Sequence, residues 1–295
     1  MKKTLIYIFL FLSIYNYSQN YTIVDSHTKI PLPYTNIKFI NTETGMYTNS
    51  NGSFEIKKQA NDSVQISCLG YKTITEKVNK LKDTIFLESN TQNLKTVFLK
   101  SYPKKEKKIG FKKNYISFYN KPNLQLALFI KPIKKYENTI IKKILIPIKK
   151  KKSFVERKKK VKKEFNSVFK VHLFSNKNNF PDKPLLKTPI IINCNQDSNK
   201  IINLDISKER IELNKNGIFI SLERIGEIDK NGNVLDKEYP RPGFLYSTKK
   251  SKDFEVAKSF YKNVHTSQWK EMSLKTYGYK NNMFLAIQLI LAIKK

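Results

Sequence analysis

Residues 64–78 carry the pattern that decides the fold of the first part of the chain, and they read VQISCLGYKTITEKV. Val64, Ile66 and Cys68 stand at every second position, which places them on one face of a strand. Gly70 interrupts the run and the alternation resumes after it, as expected of two strands joined by a turn. The stretch therefore predicts an antiparallel sheet with one buried face.

Similar short runs occur on both sides of this stretch, between residues 21 and 99. They are Tyr21 to Val24, Thr35 to Phe39, Ser53 to Ile56, Lys72 to Val78 and Thr84 to Leu87. The segments between them contain Pro31-Leu32-Pro33 and Asn49-Ser50-Asn51-Gly52, whose residue types favour turns. We predict a small β-sandwich over residues 19–99.

Four elements of this region stand in an order that resembles the carboxypeptidase-like regulatory domain, a transthyretin-like sandwich. They are Val24-Asp25, Pro31-Leu32-Pro33, Asn49 to Phe54, and Ser67 to Tyr71. The resemblance implies a structural or accessory module of envelope proteins, such as outer-membrane nutrient receptors, and implies no peptidase activity. Lys29 stands where glycine is usual in the family and Asn49 where aspartate is usual. We expect these departures to affect turn stability without removing the fold.

Alternation returns at Leu124 and continues towards the end of the chain. The clearest runs are Leu124 to Ile130, Ile144 to Ile148, Phe169 to Leu173, Ile190 to Cys194, Ile201 to Ile206, Gly217 to Ile225, Gly243 to Ser247 and Met283 to Ile293. Strands of this number and spacing predict a second, jelly-roll-like β-sandwich over residues 124–295. The whole chain is therefore expected to be all-β.

Two lysine-rich segments are expected to lie outside the sandwiches. Residues 100–123 contain Pro103 and the cluster at 104–108, so we predict a basic linker there. Residues 149–166 are predicted to form a projecting loop, which either touches anionic lipid or polysaccharide or is simply solvated. The second region is also similar to a β-sandwich that accompanies regulatory-like domains in secreted proteins of unknown function, through residues 169–174, Pro181, Leu185-Leu186 and residues 217–223. That resemblance implies an architecture and no activity.

The N-terminus has the three parts of a secretory signal. Met1-Lys2-Lys3 is followed by an apolar run from Leu5 to Ile14 and then by a more polar segment. The run is shorter than the roughly 20 apolar residues that a permanent membrane span needs. We predict a signal peptide over residues 1–18 and an exported mature protein that is periplasmic, outer-membrane-associated or extracellular.

Charge indicates the kind of partner more than the function. Lys and Arg together number 56 against 24 Asp and Glu, a formal net charge of +32, which favours anionic partners at low salt. Only residues 157, 210, 224 and 241 are Arg. Proteins that recognise bases and phosphates rely on the planar, bidentate guanidinium group of arginine. We therefore expect a cell-envelope protein or polysaccharide as partner, and no nucleic acid. Compositional drift with a gain in solubility is the alternative explanation of the charge.

No residue pattern predicts a catalytic, cofactor or metal site. His27, His172 and His265 are separated in sequence and are expected at the surface, and Asp25-Ser26-His27 is too short to align a triad. Glu223, the most interesting of several scattered carboxylates, is expected at a strand edge, paired with a lysine. Nine glycines without a phosphate-binding loop argue against a nucleotide. The two cysteines, Cys68 and Cys194, share the apolar phase of separate strands and are predicted to be free, buried thiols.

These observations predict a non-enzymatic structural or binding protein that is secreted or belongs to the cell envelope. The alternative is a carbohydrate-binding or adhesive module on the second sandwich. Its ligand surface would contain Tyr246, Tyr261, Trp269 and Tyr277, four members of a late aromatic cluster. The competing explanation is that these aromatic side chains fill the core, where each buries about 150 to 250 Å².

Overall fold

The computed structural model describes residues 19–42, 44–56, 62–90, 105–112, 115–118, 123–150, 164–235, 241–265, 268–272 and 283–293. Within these ranges the regular structure is strand, apart from three short 3₁₀ turns at Val78–Lys80, Lys134–Tyr136 and Ser207–Glu209. The prediction of an all-β protein is confirmed. The contacts divide the chain into two compact units, Met1–Gln92 and Asn93–Lys295. The described residues contain no helix with the length and apolar character of a membrane span.

The described residues of the first unit form seven strands in two sheets. They are β1 (Gln19–Asp25), β2 (Asn36–Phe39), β3 (Gly45–Tyr47), β4 (Ser53–Ile56), β5 (Ser63–Ser67), β6 (Ile74–Lys77) and β7 (Thr84–Leu87). One sheet has the order β4-β1-β7, with β1 and β7 parallel, and the other has the order β3-β2-β5-β6. Side chains from both sheets, including Ile23, Ile37 and Ile66, share one core. The predicted small sandwich is therefore confirmed.

Asp25 fixes the turn that follows β1. Its Oδ1 accepts the backbone N–H groups of His27 and Thr28, each at 2.8 Å, and its Oδ2 accepts the hydroxyl of Tyr71 at 2.9 Å. These bonds, that from Thr28 first, lower the pKa of Asp25 to about 2. Burial, and then the bond to Asp25, raises the pKa of Tyr71 to about 12. The first and last of the four recognised sequence elements are thus joined directly.

The two departures from the family pattern have different physical consequences. Asn49 Oδ1 accepts the N–H groups of Asn51 and Ser53 at 2.9 and 3.0 Å, so an amide oxygen holds the turn in the place of a carboxylate. Lys29, in contrast, adopts φ +59°, a left-handed conformation that favours glycine. Its Nζ lies 4.4 Å from the centre of the Phe86 ring. The turn at Lys29 is therefore strained, whereas the turn at Asn49 is satisfied.

The second unit contains sixteen described strands. They are β8 (Lys105–Gly110), β9 (Tyr115–Phe118), β10 (Leu124–Pro132), β11 (Thr139–Lys149), β12 (Asn166–Lys177), β13 (Phe180–Pro184), β14 (Ile190–Asn195), β15 (Ile201–Asp205), β16 (Glu212–Leu213), β17 (Ile218–Ile228), β18 (Val234–Leu235), β19 (Gly243–Ser247), β20 (Phe254–Asn263), β21 (Lys270–Glu271), β22 (Phe284–Leu285) and β23 (Gln288–Ile293).

These strands form two eight-stranded sheets that share one large core. The first follows β13-β12-β17-β10-β20-β21, with β14 beside β12 and β18 beside β17. The second follows β22-β19-β11-β23-β8, with β15 and β16 beside β11 and β9 beside β19. Leu128 and Ile220 from the first sheet and Ile144 and Leu289 from the second are fully buried in the same cluster. The second predicted sandwich is confirmed as an architecture.

The predicted linker over residues 100–123 is wrong for most of its described part. Lys105–Gly110 forms β8, which pairs along its whole length with β23, and Tyr115–Phe118 forms β9 beside β19. The first four residues of β8 are exposed because β8 is an edge strand, so the lysines cost little there and the backbone ladder holds the segment. The second unit therefore begins earlier than the predicted residue 124.

Strand β20 and the segment 283–293 also differ from the sequence prediction, and the short strands β3, β13, β16, β18 and β21 were not predicted. Strand β20 was missed because its two faces are both mixed, with Lys258 and Lys262 on one and Ser259 on the other, so no clean period of two is visible. The segment 283–293, predicted as one strand, is divided into β22 and β23. The centre of the lysine-rich loop, residues 151–163, lies outside the described residues.

Two buried side chains of the second core are not simple hydrophobes. Arg224 is fully buried, its guanidinium carbon lies 4.8 Å from the Phe244 ring centre, and its Nη2 donates to the carbonyl of Pro242 at 2.5 Å. Cys194 is a buried free thiol whose pKa is raised by burial, whereas Cys68 of the first unit is free and half-buried. Arg224 and Cys194 therefore both pack among the buried side chains of the second unit.

Candidate functional site

One face of the β12-β17-β10-β20 part of the first large sheet carries the chemistry of the second unit. We call it the outer face because the opposite face contributes Leu128, Ile220 and their neighbours to the main core. Strand alternation and the observed register assign its members, which are Lys170, His172, Phe174, Phe219, Ser221, Glu223, Gln125, Ala127, Phe129, Lys258, Phe260 and Lys262. The outer face has a polar end, an aromatic middle and an open groove.

The polar end is a row of four paired residues. Lys170 stands opposite Glu223, Glu223 opposite Gln125, and Gln125 opposite Lys262. His172, from the adjacent row, places its Nε2 2.7 Å from Glu223 Oε2, and Lys170 Nζ lies 3.9 Å from Glu223 Oε1. Lys170, His172 and Glu223 are only 4 to 6% exposed. We call Lys170, His172, Glu223, Gln125 and Lys262 the polar row.

Burial shapes the electrostatics of the polar row. Desolvation lowers the pKa of Lys262, and the Glu223 carboxylate opposes that shift. Lys262 Nζ also lies 4.8 Å from the ring centre of Trp269, so an aromatic face supports this ammonium group. Glu223 therefore compensates the positive charge of at least two lysines in a region from which water is largely excluded.

The pairing of Glu223 with His172 is half of a familiar catalytic arrangement. A carboxylate that orients an imidazole leaves the second ring nitrogen to accept a proton from a nucleophile. In this structure His172 Nδ1 is buried without a hydrogen-bond partner among the described residues. Ser221 stands opposite His172 in the register, but its hydroxyl donates to the carbonyl of Leu126 at 2.8 Å. The polar row thus holds charge and offers no activated nucleophile among the residues described.

The middle of the outer face is aromatic. Phe129, Phe219 and Phe260 are buried, and with Ala127 they form a small core separate from the main one. The Phe129 and Phe219 ring centres are 4.8 Å apart, and those of Phe219 and Phe260 are 5.4 Å apart. This cluster forms a rigid wall between the polar row and the groove.

The groove lies at the other end of the outer face and has a volume of about 710 Å³. Five elements of the second unit contribute to its lining. The lining residues are Phe129, Lys131, Glu137, Asn176, Lys177, Asn178, Asn179, Lys215, Asn216 and Val256. Phe129 is only 2% exposed, so it offers the groove an edge and no stacking face. The groove is thus mainly polar, with four asparagines among its described lining residues.

Two turns build one side of the groove, and they are fastened to each other. Asn178 and Asn179 have φ +53° and +63° in the two-residue connection between β12 and β13, a conformation that asparagine tolerates well. In the turn before β17, the Asn216 N–H donates to Asn214 Oδ1 at 2.9 Å. Asn176 Nδ2 donates to the carbonyl of Asn216 at 2.9 Å, which joins the two turns.

Gly217 seats the second turn against β10. Its φ is +77°, and a Cβ atom at this position would lie 2.5 Å from the carbonyl oxygen of Ile130 and 2.8 Å from the Phe129 ring. Only glycine therefore allows the turn to approach β10 this closely. The groove is shaped before any ligand arrives.

The predicted aromatic ligand surface is not assembled. Tyr246 is 1% exposed and lies in the main core, where it packs edge-on against Phe118. The prediction that Tyr246 lies on a ligand surface is therefore wrong. Tyr261 is on the core-facing phase of β20 and is 36% exposed, whereas Trp269 is half-buried against the aromatic middle of the outer face. Tyr277 lies outside the described residues. Tyr261 and Trp269 thus belong to different faces of the sheet.

The predictions for the histidines and Glu223 also need correction. His27 is exposed in its turn, as expected. His172 and His265 are only 5 and 3% exposed, so the prediction that they lie at the surface is wrong. Glu223 lies in an interior strand with β10 and β12 on its two sides, and not at a sheet edge. Its pairing with a lysine was correctly anticipated, through Lys170. No three His, Cys, Asp or Glu side chains gather into a metal-binding group in the part of the chain that the structure describes.

The groove asparagines and the polar row were missed for different reasons. Asn176 to Asn179 look like an ordinary hairpin turn, and nothing local shows that a second turn joins them. The polar row had a signal that was not used. Ile218, Phe219 and Ile220 place apolar side chains on both phases of the strand, which indicates that the strand is buried on both faces. Polar side chains in such a strand are expected to be buried and paired.

Comparison with protein families identifies the first unit. Residues 22–99 match the family model described as CarboxypepD_reg-like domain, which confirms the resemblance found in the sequence. The N-terminal domain is therefore a CarboxypepD_reg-like domain, and residues 105–293, with the polar row and the groove, lie outside the match. No curated protein matches the chain significantly.

Two solved structures show a distant likeness. One contains the cysteine protease and lectin-like domains of Cwp84, a surface layer associated protein of Clostridium difficile, with a TM-score of 0.36, 10% identity, and coverage of 95% of this chain and 63% of that one. The other is a clostridial Cwp84 variant after propeptide cleavage, with a TM-score of 0.36, 11% identity, and coverage of 95% and 71%. This chain thus spans less than two thirds of the first structure. A likeness at this TM-score carries no information about fold or function.

Proposed function

We propose that this protein is a non-enzymatic binding protein of the bacterial cell envelope and that the groove on the outer face of its second unit is the binding site. The observation that carries the proposal is a preformed polar groove of about 710 Å³, built by two turns that hydrogen-bond to each other. Concave, preorganised sites with several convergent polar groups are the usual places for ligands. The CarboxypepD_reg-like domain fits an accessory module of a binding protein.

A carbohydrate is the ligand class that the groove favours. Asparagine side chains donate and accept hydrogen bonds through one amide, which matches sugar hydroxyls that also do both. Four asparagines line the groove, and Val256 supplies a half-buried apolar contact beside them. The proposed carbohydrate site is therefore the asparagine-rich groove and not a surface of aromatic side chains.

Filling the groove tests its role as the binding site. Val256→Trp places a large side chain in the groove, and Ile201→Trp adds the same bulk at a position of β15 that is 43% exposed. We expect Val256→Trp to abolish binding of soluble polysaccharides in affinity electrophoresis, while Ile201→Trp binds as the wild type does. Far-UV circular dichroism of both variants checks that the fold is intact. Equal binding by the two variants would exclude the groove as the site.

The non-enzymatic part of the proposal rests on the polar row. Glu223 is held by His172 and Lys170, and Ser221 is bonded to a backbone carbonyl, so these groups stabilise one another. We expect no new reducing ends when the protein is incubated with polysaccharides that it binds. Release of reducing ends by the wild type, and its loss in Glu223→Gln, would identify an enzyme.

Export is the remaining part of the proposal. It is supported by the Lys2-Lys3 start and the apolar run from Leu5 to Ile14, which lie outside the described residues. We expect the protein recovered from the periplasm or outer membrane of a bacterial host to have lost about the first 18 residues. Intact-mass measurement tests this, and a full-length protein confined to the cytoplasm would contradict it.

A further inference from the structure

The charges that line the groove point to one kind of carbohydrate. Three lysines, Lys131, Lys177 and Lys215, and one carboxylate, Glu137, are among its described lining residues. Lys131 is neutralised by Glu255, whose Oε2 lies 2.9 Å from its Nζ. Within the described part of the chain, Lys177 and Lys215 are exposed and make no ion pair. Two uncompensated ammonium groups therefore border a groove with a single carboxylate.

The backbone positions of these two lysines are set by the same turns that shape the groove. Lys177 precedes Asn178 and Asn179, and Lys215 precedes Asn216. The bond from Asn176 to Asn216 holds the two turns together, and both lysines line the groove. A ligand that forms hydrogen bonds with the asparagines lies within reach of both lysines.

We infer that the groove binds an acidic, carboxylate-bearing polysaccharide, with Lys177 and Lys215 as the residues that select it over a neutral glycan; this inference rests on the function proposed above. A neutral sugar offers two exposed ammonium groups only neutral hydroxyl acceptors, which replace water hydrogen bonds with others of similar strength. A sugar carboxylate supplies charge-assisted hydrogen bonds in the same place.

The lining also discriminates between polyanions. Its described cations are all lysines, which bind anions as point charges and lack the planar fork that arginine offers to phosphate. Glu137 adds a negative charge that opposes a densely charged phosphate backbone and can accept hydrogen bonds from sugar hydroxyls. This combination suits a chain in which carboxylates are interspersed with hydroxyl groups.

The experiment compares polygalacturonate with dextran as probes of the full mature chain by isothermal titration calorimetry. The test variant is Lys177→Gln/Lys215→Gln. The matched control is Lys208→Gln/Lys230→Gln, which removes the same charge at two exposed positions outside the groove lining. We expect the test variant to weaken polygalacturonate binding about thirtyfold, the loss that corresponds to two lysine contacts to an anionic surface. The control is expected to change binding less than twofold, and dextran is expected to bind more weakly than polygalacturonate in every variant.

Each alternative outcome has a separate meaning. Equal weakening by the test and control variants would show that only the overall charge acts, and would overturn the inference. Dextran binding that equals polygalacturonate binding and is blocked by Val256→Trp would overturn the inference while the proposed binding site stands. Tighter binding of a DNA duplex than of polygalacturonate would also overturn it. Failure of both polysaccharides to bind would overturn the proposed carbohydrate function itself.

Discussion

In the first unit the polar side chains of Asp25 and Asn49 hold turns, whereas the polar row of the second unit lies within strands. Asp25 and Asn49 accept backbone N–H groups two to four residues away. His172 and Glu223 instead meet across a register that joins residues 51 positions apart. The polar groups of the two units therefore depend on partners of different kinds. Asp25 and Asn49 are held by backbone groups of their own turns, but a group in the polar row depends on a side chain from another strand.

The largest expected effect comes from breaking the polar row. Glu223→Ala leaves Lys170 and His172 buried without their carboxylate, and loss of one partner of a buried pair costs about 3 to 5 kcal/mol. Glu209→Ala removes an exposed carboxylate of the same unit and serves as the control. Trp269, the one tryptophan of the chain, belongs to the second unit, so urea unfolding followed by its fluorescence reports on this unit. Equal stability of the two variants would show that the polar row is not a structural necessity.

The next effect tests the close approach that seats the groove. Gly217→Ala combines a left-handed φ with a Cβ that would lie 2.5 Å from the Ile130 carbonyl oxygen. We expect a loss of about 2 to 4 kcal/mol, from backbone strain and overpacking together. Gly232→Ala, at φ +83° in a half-exposed turn, is the control for the φ contribution alone. A Gly217 variant that is no less stable than the Gly232 variant would exclude steric contact with β10 as the reason for glycine.

A smaller effect is expected from the titration of Asp25 in the first unit. Its folded pKa is about 2, below the ordinary value of 3.8, so the stabilisation by its carboxylate is fully present above pH 4. It is lost as the pH falls through about 2, because protonation then removes the charge that the turn favours. Hydrogen exchange of first-unit peptides, measured across pH 4 to 2, should show wild type losing stability relative to Asp25→Asn. A constant difference between the two proteins would contradict this account.

The smallest effect expected is a stabilisation. Lys29→Gly relieves the left-handed strain of about 1 kcal/mol or somewhat more. It removes an exposed hydrogen bond from Lys29 Nζ to the Ser26 carbonyl and the contact of Nζ with Phe86, the contact being worth about 0.5 to 1 kcal/mol. The net gain is therefore expected to stay below about 1 kcal/mol. Lys29→Ala, which keeps the strain and loses the contact, should be less stable than either protein. Thermal unfolding monitored by hydrogen exchange of first-unit peptides ranks the three, and any other order would contradict the assignment of strain to this turn.

The sequence predicted what is encoded locally and missed what depends on pairing. Val64 and Ile66 alternate in one strand, and Asp25 and Tyr71 belong to short motifs, so the first sandwich could be anticipated from the residues alone. Strand β8 could not, because an edge strand of mostly exposed lysines is stabilised by a partner almost 180 residues later, which the local pattern does not show. The groove was missed for the same reason, since the bond from Asn176 to Asn216 joins two turns that are 40 residues apart in sequence. His172 was misplaced because strand phase was read without knowing that both faces of its sheet are buried.

The position of β23 limits when the second unit can fold. This strand comes last in sequence among those described, yet it lies between β11 and β8 in the middle of its sheet. Until residue 293 has left the ribosome, β8 has no ladder partner and the main core lacks Leu289 and Leu291. A growing polypeptide therefore cannot complete this sheet or its core until β23 has been synthesised.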